Sequence, residues 1–374
     1  MQDKNSHRRS HRRGRKAALA VAAASALLFG ALYANANAAS VQGSSSSSTS
    51  AATTASSTSA TTVSDVVDAA NTFLDTLDDD QQAEVLLDFT EANATAWSNL
   101  PCGSTCRVGI ELSTLSDSQL TAAKAVIEAA TGTGTDSGYD QITQILAADD
   151  VLGETASGYG SGNYYLAFLG TPSTSGTWQL HFGGHHLALN LTYKDGEVEG
   201  TTPYFVGVEP TSWTDDDGTS YAPLSGMRDG MLSMLEGLSS TELSEAKLSE
   251  SFSDVLLGPG DDGDFPETKE GLAVSELTDA QQQLVLDAME PWVDVADDTT
   301  AASTLSTYES ELDDTYIAYS GSSDLDAQGD YVRIDGPGVW IEFVCQDGVV
   351  YTSQIHYHTV YRDHDTDYGG EFTF

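Results

Sequence analysis

Ile355-His356-Tyr357-His358-Thr359-Val360-Tyr361-Arg362-Asp363-His364-Asp365-Thr366-Asp367-Tyr368-Gly369 is the stretch from which the rest of the chain can be organised. Read as a β-strand, it turns successive side chains to opposite faces. His356, His358, Val360 and Arg362 then share one face, and Tyr357, Thr359 and Tyr361 the other. Two imidazoles on one face of a strand lie about 6.5–7 Å apart at Cα, close enough to share a metal or a substrate. The chain has eight histidines. His7 and His11 fall near the N-terminus, and the other six form two groups: His356, His358 and His364 here, and His181, His185 and His186 elsewhere. Core histidines without a function would be scattered.

The second group lies in Trp178-Gln179-Leu180-His181-Phe182-Gly183-Gly184-His185-His186-Leu187-Ala188-Leu189-Asn190. On a strand, His185 shares the apolar face with Leu187, Leu189 and Leu191, whereas His186 lies with Ala188, Asn190 and Thr192. His186 is therefore the better candidate for a ligand or base. His185 reads either as a further ligand or as a hydrogen-bonded core residue. Gly183-Gly184 predicts a bulge or the close approach of another backbone or a ligand.

Working outward, strands form two blocks, 163–207 and 331–361. Asp195-Gly196 and Asp347-Gly348 each predict a tight hairpin turn. Four segments share the grammar of a capping box, a capping residue three before Gln or Glu: Asp78 with Gln81, Ser116 with Gln119, Ser239 with Glu242 and Thr278 with Gln281. Shorter helices are expected near 64–74, 139–147, 227–235 and 302–319. Helices and strands in alternating blocks predict an α+β fold, a mainly antiparallel sheet of two hairpin blocks with helices packed around it.

The N-terminal residues read as an export signal over 1–38. Arg8, Arg9, Arg12, Arg13, Arg15 and Lys16 precede the Ala/Leu-rich run 17–33 and small-residue cleavage sites at 34–38. The paired arginines resemble a twin-arginine signal. Residues 39–63, nearly all Ser, Thr and Ala, read as a tether, which leaves 64–374 as one large domain. The expected location is the cell exterior or envelope. No stretch predicts a stable membrane insertion.

Net charge is −42. The leader holds seven of the 15 Lys and Arg and one of the 57 acids, so the remainder carries 8 bases against 56 acids, a balance of −48. That field excludes nucleic acid as a partner. It fits a small-molecule or extracellular substrate. Cys102 and Cys106 are spaced to close a small disulfide in an oxidising compartment, and Cys345 reads as a buried thiol.

Several distinctive short motifs stand along the chain: Trp97-Ser98-Asn99-Leu100-Pro101 with Arg107-Val108-Gly109, Gly184-His185-His186-Leu187-Ala188-Leu189-Asn190, and Thr202-Pro203-Tyr204-Phe205 with Gly207-Val208-Glu209-Pro210. Tyr331-Val332-Arg333-Ile334-Asp335-Gly336-Pro337 with Ile341-Glu342-Phe343 follows, and His356-Tyr357-His358-Thr359-Val360-Tyr361-Arg362-Asp363 with Asp367-Tyr368-Gly369 closes the set. On these residues the sequence resembles the family called domain of unknown function 3500. The resemblance implies the motif set and no particular reaction. His181 lies outside its pattern.

Glu342 is a lone carboxylate in an apolar strand, which is costly unless it is paired or metal-bound. His185, His186, His356 and His358 with Glu342 compose a set suited to a divalent transition metal. Arg333 and Arg362 are placed to hold an anionic or carbonyl substrate. Asp363, Asp365 and Asp367 alternate as in a calcium loop, but Gly369 falls at the seventh position instead of the sixth and no Glu closes the loop, so they read instead as a polar turn. The chemistry so predicted is that of an exported His-based metalloenzyme, a hydrolase or an oxidoreductase. Two other readings stand beside it: a metal-free enzyme using a histidine with Glu342 for acid–base work, and a secreted binding protein without catalysis. The oligomeric state is not encoded in any of these signals.

Overall fold

A computed structural model describes residues 62–374. The expected export signal and most of the expected tether lie outside the described residues.

The capping boxes start helices where the sequence places them. Asp78, Ser116, Ser239 and Thr278 each cap a helix, and the Gln or Glu three residues on reaches back to the cap. The helices they open are α2 (Asp79–Val85), α3 (Asp117–Ala130), α6 (Ser240–Ala246) and α7 (Asp279–Val293). Around them stand α1 (Val63–Leu74), α4 (Gly138–Thr155), α5 (Ser225–Glu236) and α8 (Asp298–Ser310). The helix expected over 302–319 ends at Ser310. Beyond it, Tyr316–Ser320 pairs as a strand, its alternating apolar residues satisfying the sheet.

Eight strands make the body of the sheet: β1 (Tyr165–Leu169), β2 (Thr177–Gly184), β3 (Leu187–Lys194), β4 (Tyr204–Val208), β5 (Tyr316–Ser320), β6 (Tyr331–Asp335), β7 (Val339–Asp347) and β8 (Ile355–Asp363). Their order is β1-β2-β3-β4-β8-β7-β6-β5, antiparallel throughout. Short strands extend the sheet to twelve. The fold is α+β with a mostly antiparallel sheet, as expected.

Asp195-Gly196 forms the predicted two-residue turn, both residues at positive φ. Asp347-Gly348 does not. Strand β7 ends at Asp347 and β8 begins only at Ile355, so a loop intervenes, held where the buried Glu209 carboxylate accepts from the Val350 and Tyr351 N–H groups.

Both faces of the sheet are covered. Leu166, Phe168, Leu180, Phe182, Ile341 and Phe343 pack against the helices, while Ala167, Ala188, Phe205, Val344 and Val360 meet Trp97, Val255 and Tyr368 on the other side. That second cover comes from irregular segments near 94–97, 248–255 and 368–372. Side chains that would be wet on an ordinary antiparallel sheet are thus buried, among them His181, Asn190, Arg333, Glu342, His356, His358 and Arg362.

The fold repeats itself. Strand order places β1–β4 and β5–β8 as two four-strand units, meeting where β4 pairs with β8 and Tyr204 lies opposite Tyr361. Each unit is preceded by the same helices: α1 and α5, α2 and α6, α3 and α7, α4 and α8. Gln119 bonds to Gln81 and the Thr76 carbonyl; Gln281 bonds to Glu242 and the Gly237 carbonyl. Gly109 and Gly271 both take φ +99°, and a Cβ on either would strike the backbone carbonyl of Leu166 or Ile317. Tyr165 opposes Gly183 in one half, and Tyr316 opposes Asp335 in the other. In this correspondence the turn His185-His186 occupies the place of Pro337-Gly338.

Candidate metal centre

His185 and His186 are not strand residues, and the assignment of their faces is corrected here. Gly184 pairs with Leu187, so the two histidines form the turn between β2 and β3. His186 adopts φ 64°, a left-handed conformation uncommon outside glycine although His is enriched among the exceptions. The turn is held at both carbonyls: Tyr164 donates its hydroxyl to that of His185, and the Gly207 N–H donates to that of His186. Gly184 is required because a Cβ there would meet the Tyr164 ring at 2.5 Å. Close approach is what Gly183-Gly184 signalled.

The turn projects His186 toward β8. His356 and His358 share a face of that strand, and the ring nitrogens of His186, His356 and His358 lie within 4.8 Å of one another. His356 Nε2 is 3.2 Å from His358 Nε2. Two ligands about 2.0–2.1 Å from one ion in tetrahedral geometry stand about 3.3 Å apart. Those two rings therefore have the spacing of a shared ion, and His186 needs a small ring movement to join them. His358 lies opposite Gly207 on β4, and a Cβ at Gly207 would come within 2.8 Å of the His186 ring and 2.9 Å of the His358 ring. The missing side chain makes room for both.

All three rings are buried, with relative exposures of 5% for His186, 1% for His356 and 5% for His358. Burial, reinforced by the neighbouring His185, His358 and His356, holds the His186 pKa well below the usual imidazole range. His356 is lowered to about 3, again chiefly by burial and then by His358, against a raising contribution from the Asp347 backbone. Both are neutral near pH 7, the state in which imidazole ligates. Asp254 Oδ1 sits 2.9 Å from His358 Nδ1, which places the proton on Nδ1 and leaves Nε2 free toward the cluster. Burial tends to raise the Asp254 pKa, but the hydrogen bond and electrostatic pull of the His358 ring, with the Val255 N–H, bring it below the usual carboxylate range. One buried ring atom of the cluster, His356 Nδ1, has no partner of hydrogen-bond geometry, and His186 makes no side-chain hydrogen bond among the described residues. Three buried imidazoles, two of them held neutral by burial and the third fixed by a carboxylate, fit a metal ion.

His185 stands just outside. It stacks on His186 with ring centroids 3.7 Å apart, and its Nδ1 is 2.7 Å from Asp149 Oδ1. The other Asp149 oxygen accepts from the Gly160 N–H. His185 forms one wall of a cleft of roughly 340 Å³ whose rim is the loop closed by the Cys102–Cys106 disulfide.

The structure does not bring Glu342, Arg333 or Arg362 to the imidazoles. Glu342 lies on the same sheet face but opposite Val360, and it is saturated by the N–H groups of Leu256 and Leu257, the Tyr331 hydroxyl and Trp340 Nε1. It anchors the segment that carries Asp254. Arg333 lies over Trp340 with one long contact to Glu270. Arg362 is consumed by the Leu257 and Gly258 carbonyls, Asp262 and Asp367. The Asp363–Asp367 turn is satisfied internally: Asp363 accepts from the N–H groups of Asp365 and Thr366 and from Tyr308, and Asp367 from Arg362 and the Asp363 N–H. Cys345 is buried, its thiol pushed up to about 12 by burial.

Asp149 and Asp254 were not anticipated. One sits inside a helix and the other in an irregular loop, and neither position carries a periodic signal. Gly207 stood within a quoted motif, but its reason, room for two rings, exists only in three dimensions.

Among the comparisons with known proteins, the family described as Protein of unknown function (DUF3500) matches residues 59–370. No curated protein and no solved structure matches the chain. The chain belongs to the DUF3500 family.

Proposed function

We propose that this member of the family is an exported metalloenzyme, a hydrolase or oxidoreductase, with a mononuclear divalent transition-metal centre on His186, His356 and His358. The observation that carries this reading is the convergence of three buried ring nitrogens within 4.8 Å, two of them 3.2 Å apart. When bound, the ion supplies Lewis-acid or redox chemistry. The chain's own residues do the rest. Asp254 fixes the tautomer and orientation of His358, Gly207 clears space for two rings, and the covered sheet face excludes bulk water. Asp149 turns His185 so that its Nε2 is left to the cleft, where a small substrate docks beside the centre.

Metal analysis tests the reading on protein purified without a His tag, before and after reconstitution with zinc, manganese, iron(II) or copper. About one equivalent is expected, and His186→Ala and His358→Ala each lower it at least tenfold. Less than about a tenth of an equivalent of every metal under both conditions overturns it.

A metal-free reading draws on the His185–Asp149 pair, an oriented imidazole at a cleft wall. It departs from the expectation of a His–Glu342 pair, because Glu342 is spent elsewhere. Turnover that survives exhaustive chelation and disappears in His185→Ala would favour it.

A further inference from the structure

The internal repeat supplies a comparison within one molecule. Arg107 stands two residues before Gly109, and Lys269 two residues before Gly271, at corresponding points of the two halves. Lys269 is neutralised by Asp335 and also reaches the Gly336 carbonyl. The position matching Asp335 is Gly183. Arg107 has therefore lost the counter-ion that its counterpart keeps.

Nothing else replaces it. Arg107 is 7% exposed and has no carboxylate within salt-bridge distance among the described residues. Its Nη2 donates to the carbonyls of Ser98 and Leu100, Nη1 meets only the two disulfide sulfurs at 3.5 Å, and Nε has no partner. Sulfur is a weak acceptor. The nearby carboxylates are committed: Asp149 to His185 and Gly160, and Glu111 to Ser113 and Tyr165. A buried cation without an ion-pair partner is expensive, and Asp149 acts on Arg107 only at a distance. In a chain of net charge −42, one left so is a feature to be explained. Arg107 also lines the cleft that His185 bounds.

We propose that this cleft takes a small oxyanion, a carboxylate or a phosphate, whose charge meets Arg107 as Asp335 meets Lys269 in the other half. That the anion is a substrate rests on the metal-centre reading; that it binds does not. Arg107 positions the anionic end, and the remainder of the ligand extends along the cleft to His185.

Calorimetric titration of the metal-stripped mature chain with sodium malonate and, separately, sodium phosphate, in a chloride background, tests the proposal. Saturable binding of at least one is expected; malonate alone marks a carboxylate ligand, and phosphate alone a phosphoryl ligand. Arg107→Gln should weaken it about ten- to a hundredfold, the loss of a charge-assisted contact. Metal content, measured on the same variant, should match the parent, so failure here and failure of the metal centre register separately. Absence of saturable binding for both anions overturns the proposal, as does an Arg107→Gln protein that binds as tightly as the parent. Should that variant not fold, Asn163→Asp decides, because it adds a near-isosteric carboxylate to the cleft wall. It should weaken binding about tenfold, and unchanged affinity overturns the proposal.

Discussion

Asp254 Oδ1 accepts from His358 Nδ1 at 2.9 Å, across a gap of 104 residues in sequence. The carboxylate arrives on a loop that Glu342 ties to the sheet through the N–H groups of Leu256 and Leu257. Two acids with different surroundings thus serve one imidazole: Asp254 orients it, and Glu342 fixes Asp254's approach.

Asp254→Asn should lower metal affinity about ten- to a hundredfold, the usual cost of losing a partner that orients a ligating histidine. Asp254 is partly exposed, so the fold should tolerate the change, and thermal unfolding of the metal-free protein should shift little. Competition titration against a chelating dye measures the affinity. Unchanged affinity would remove Asp254 from the centre.

Glu342→Ala should act first on stability. It leaves two backbone N–H groups, the Tyr331 hydroxyl and Trp340 Nε1 without their acceptor in a fully buried site. Leaving a buried donor unsatisfied costs about 1–3 kcal/mol, and with several stranded at once the loss is read as a lower denaturation midpoint in urea. Burial raises the Glu342 pKa, against the opposing pull of those four donors. Glu342→Gln should therefore retain more stability than the alanine variant. A Glu342→Ala protein with parental stability but no activity would return Glu342 to a catalytic role.

Gly207→Ala tests the packing of the imidazoles directly. The added methyl would lie 2.8 Å from the His186 ring, 2.9 Å from that of His358 and 3.0 Å from the Tyr357 carbonyl. Overpacking of this kind costs about 1–3 kcal/mol, and one or both rings must turn away. Metal uptake should fall at least as far as in His186→Ala, whereas Gly226→Ala, where a Cβ meets nothing within 4 Å, should leave uptake unchanged.

How much of this was legible in the sequence follows from where each signal resides. Caps are local: Ser116 and Gln119 are three residues apart, and the box they predict formed. The strand that carries His356 and His358 was legible for the same reason, since alternation is written in consecutive residues. The turn at His185-His186 was not. Its usual residues, seen in the equivalent Pro337-Gly338, are replaced by two histidines, and the turn with its left-handed φ at His186 is held by Tyr164, just before β1, and Gly207 on β4. Glu342 was misplaced in function for a related reason. A carboxylate in an apolar strand demands partners, but the sequence does not say whether they are a metal or four hydrogen-bond donors. The internal repeat escaped notice because Gly183 and Asp335, or Arg107 and Lys269, correspond in position while differing in chemistry.

The pH dependence of stability should carry the mark of His181. Its ring is buried between Asn190 Oδ1 and the Ala96 carbonyl, and its pKa is lowered from 6.5 to about 4. Burial is the main cause, and Arg107 contributes, while the two hydrogen bonds oppose them. In the unfolded chain His181 takes up a proton near pH 6.5, and in the folded chain only near pH 4, so acid favours unfolding across that interval. The His181 contribution is fully present above pH 6.5, declines as pH falls toward 4, and levels off below. The lowering from 6.5 to about 4 corresponds to roughly 3 kcal/mol. His181→Gln should thus be less stable than the parent at pH 7.5, with the gap closing by about that amount at pH 4. Urea denaturation of both proteins across this range measures it, and carboxylates common to the two cancel in the difference. A gap that stays constant from pH 7.5 to 4 would show that His181 is not held neutral by the fold.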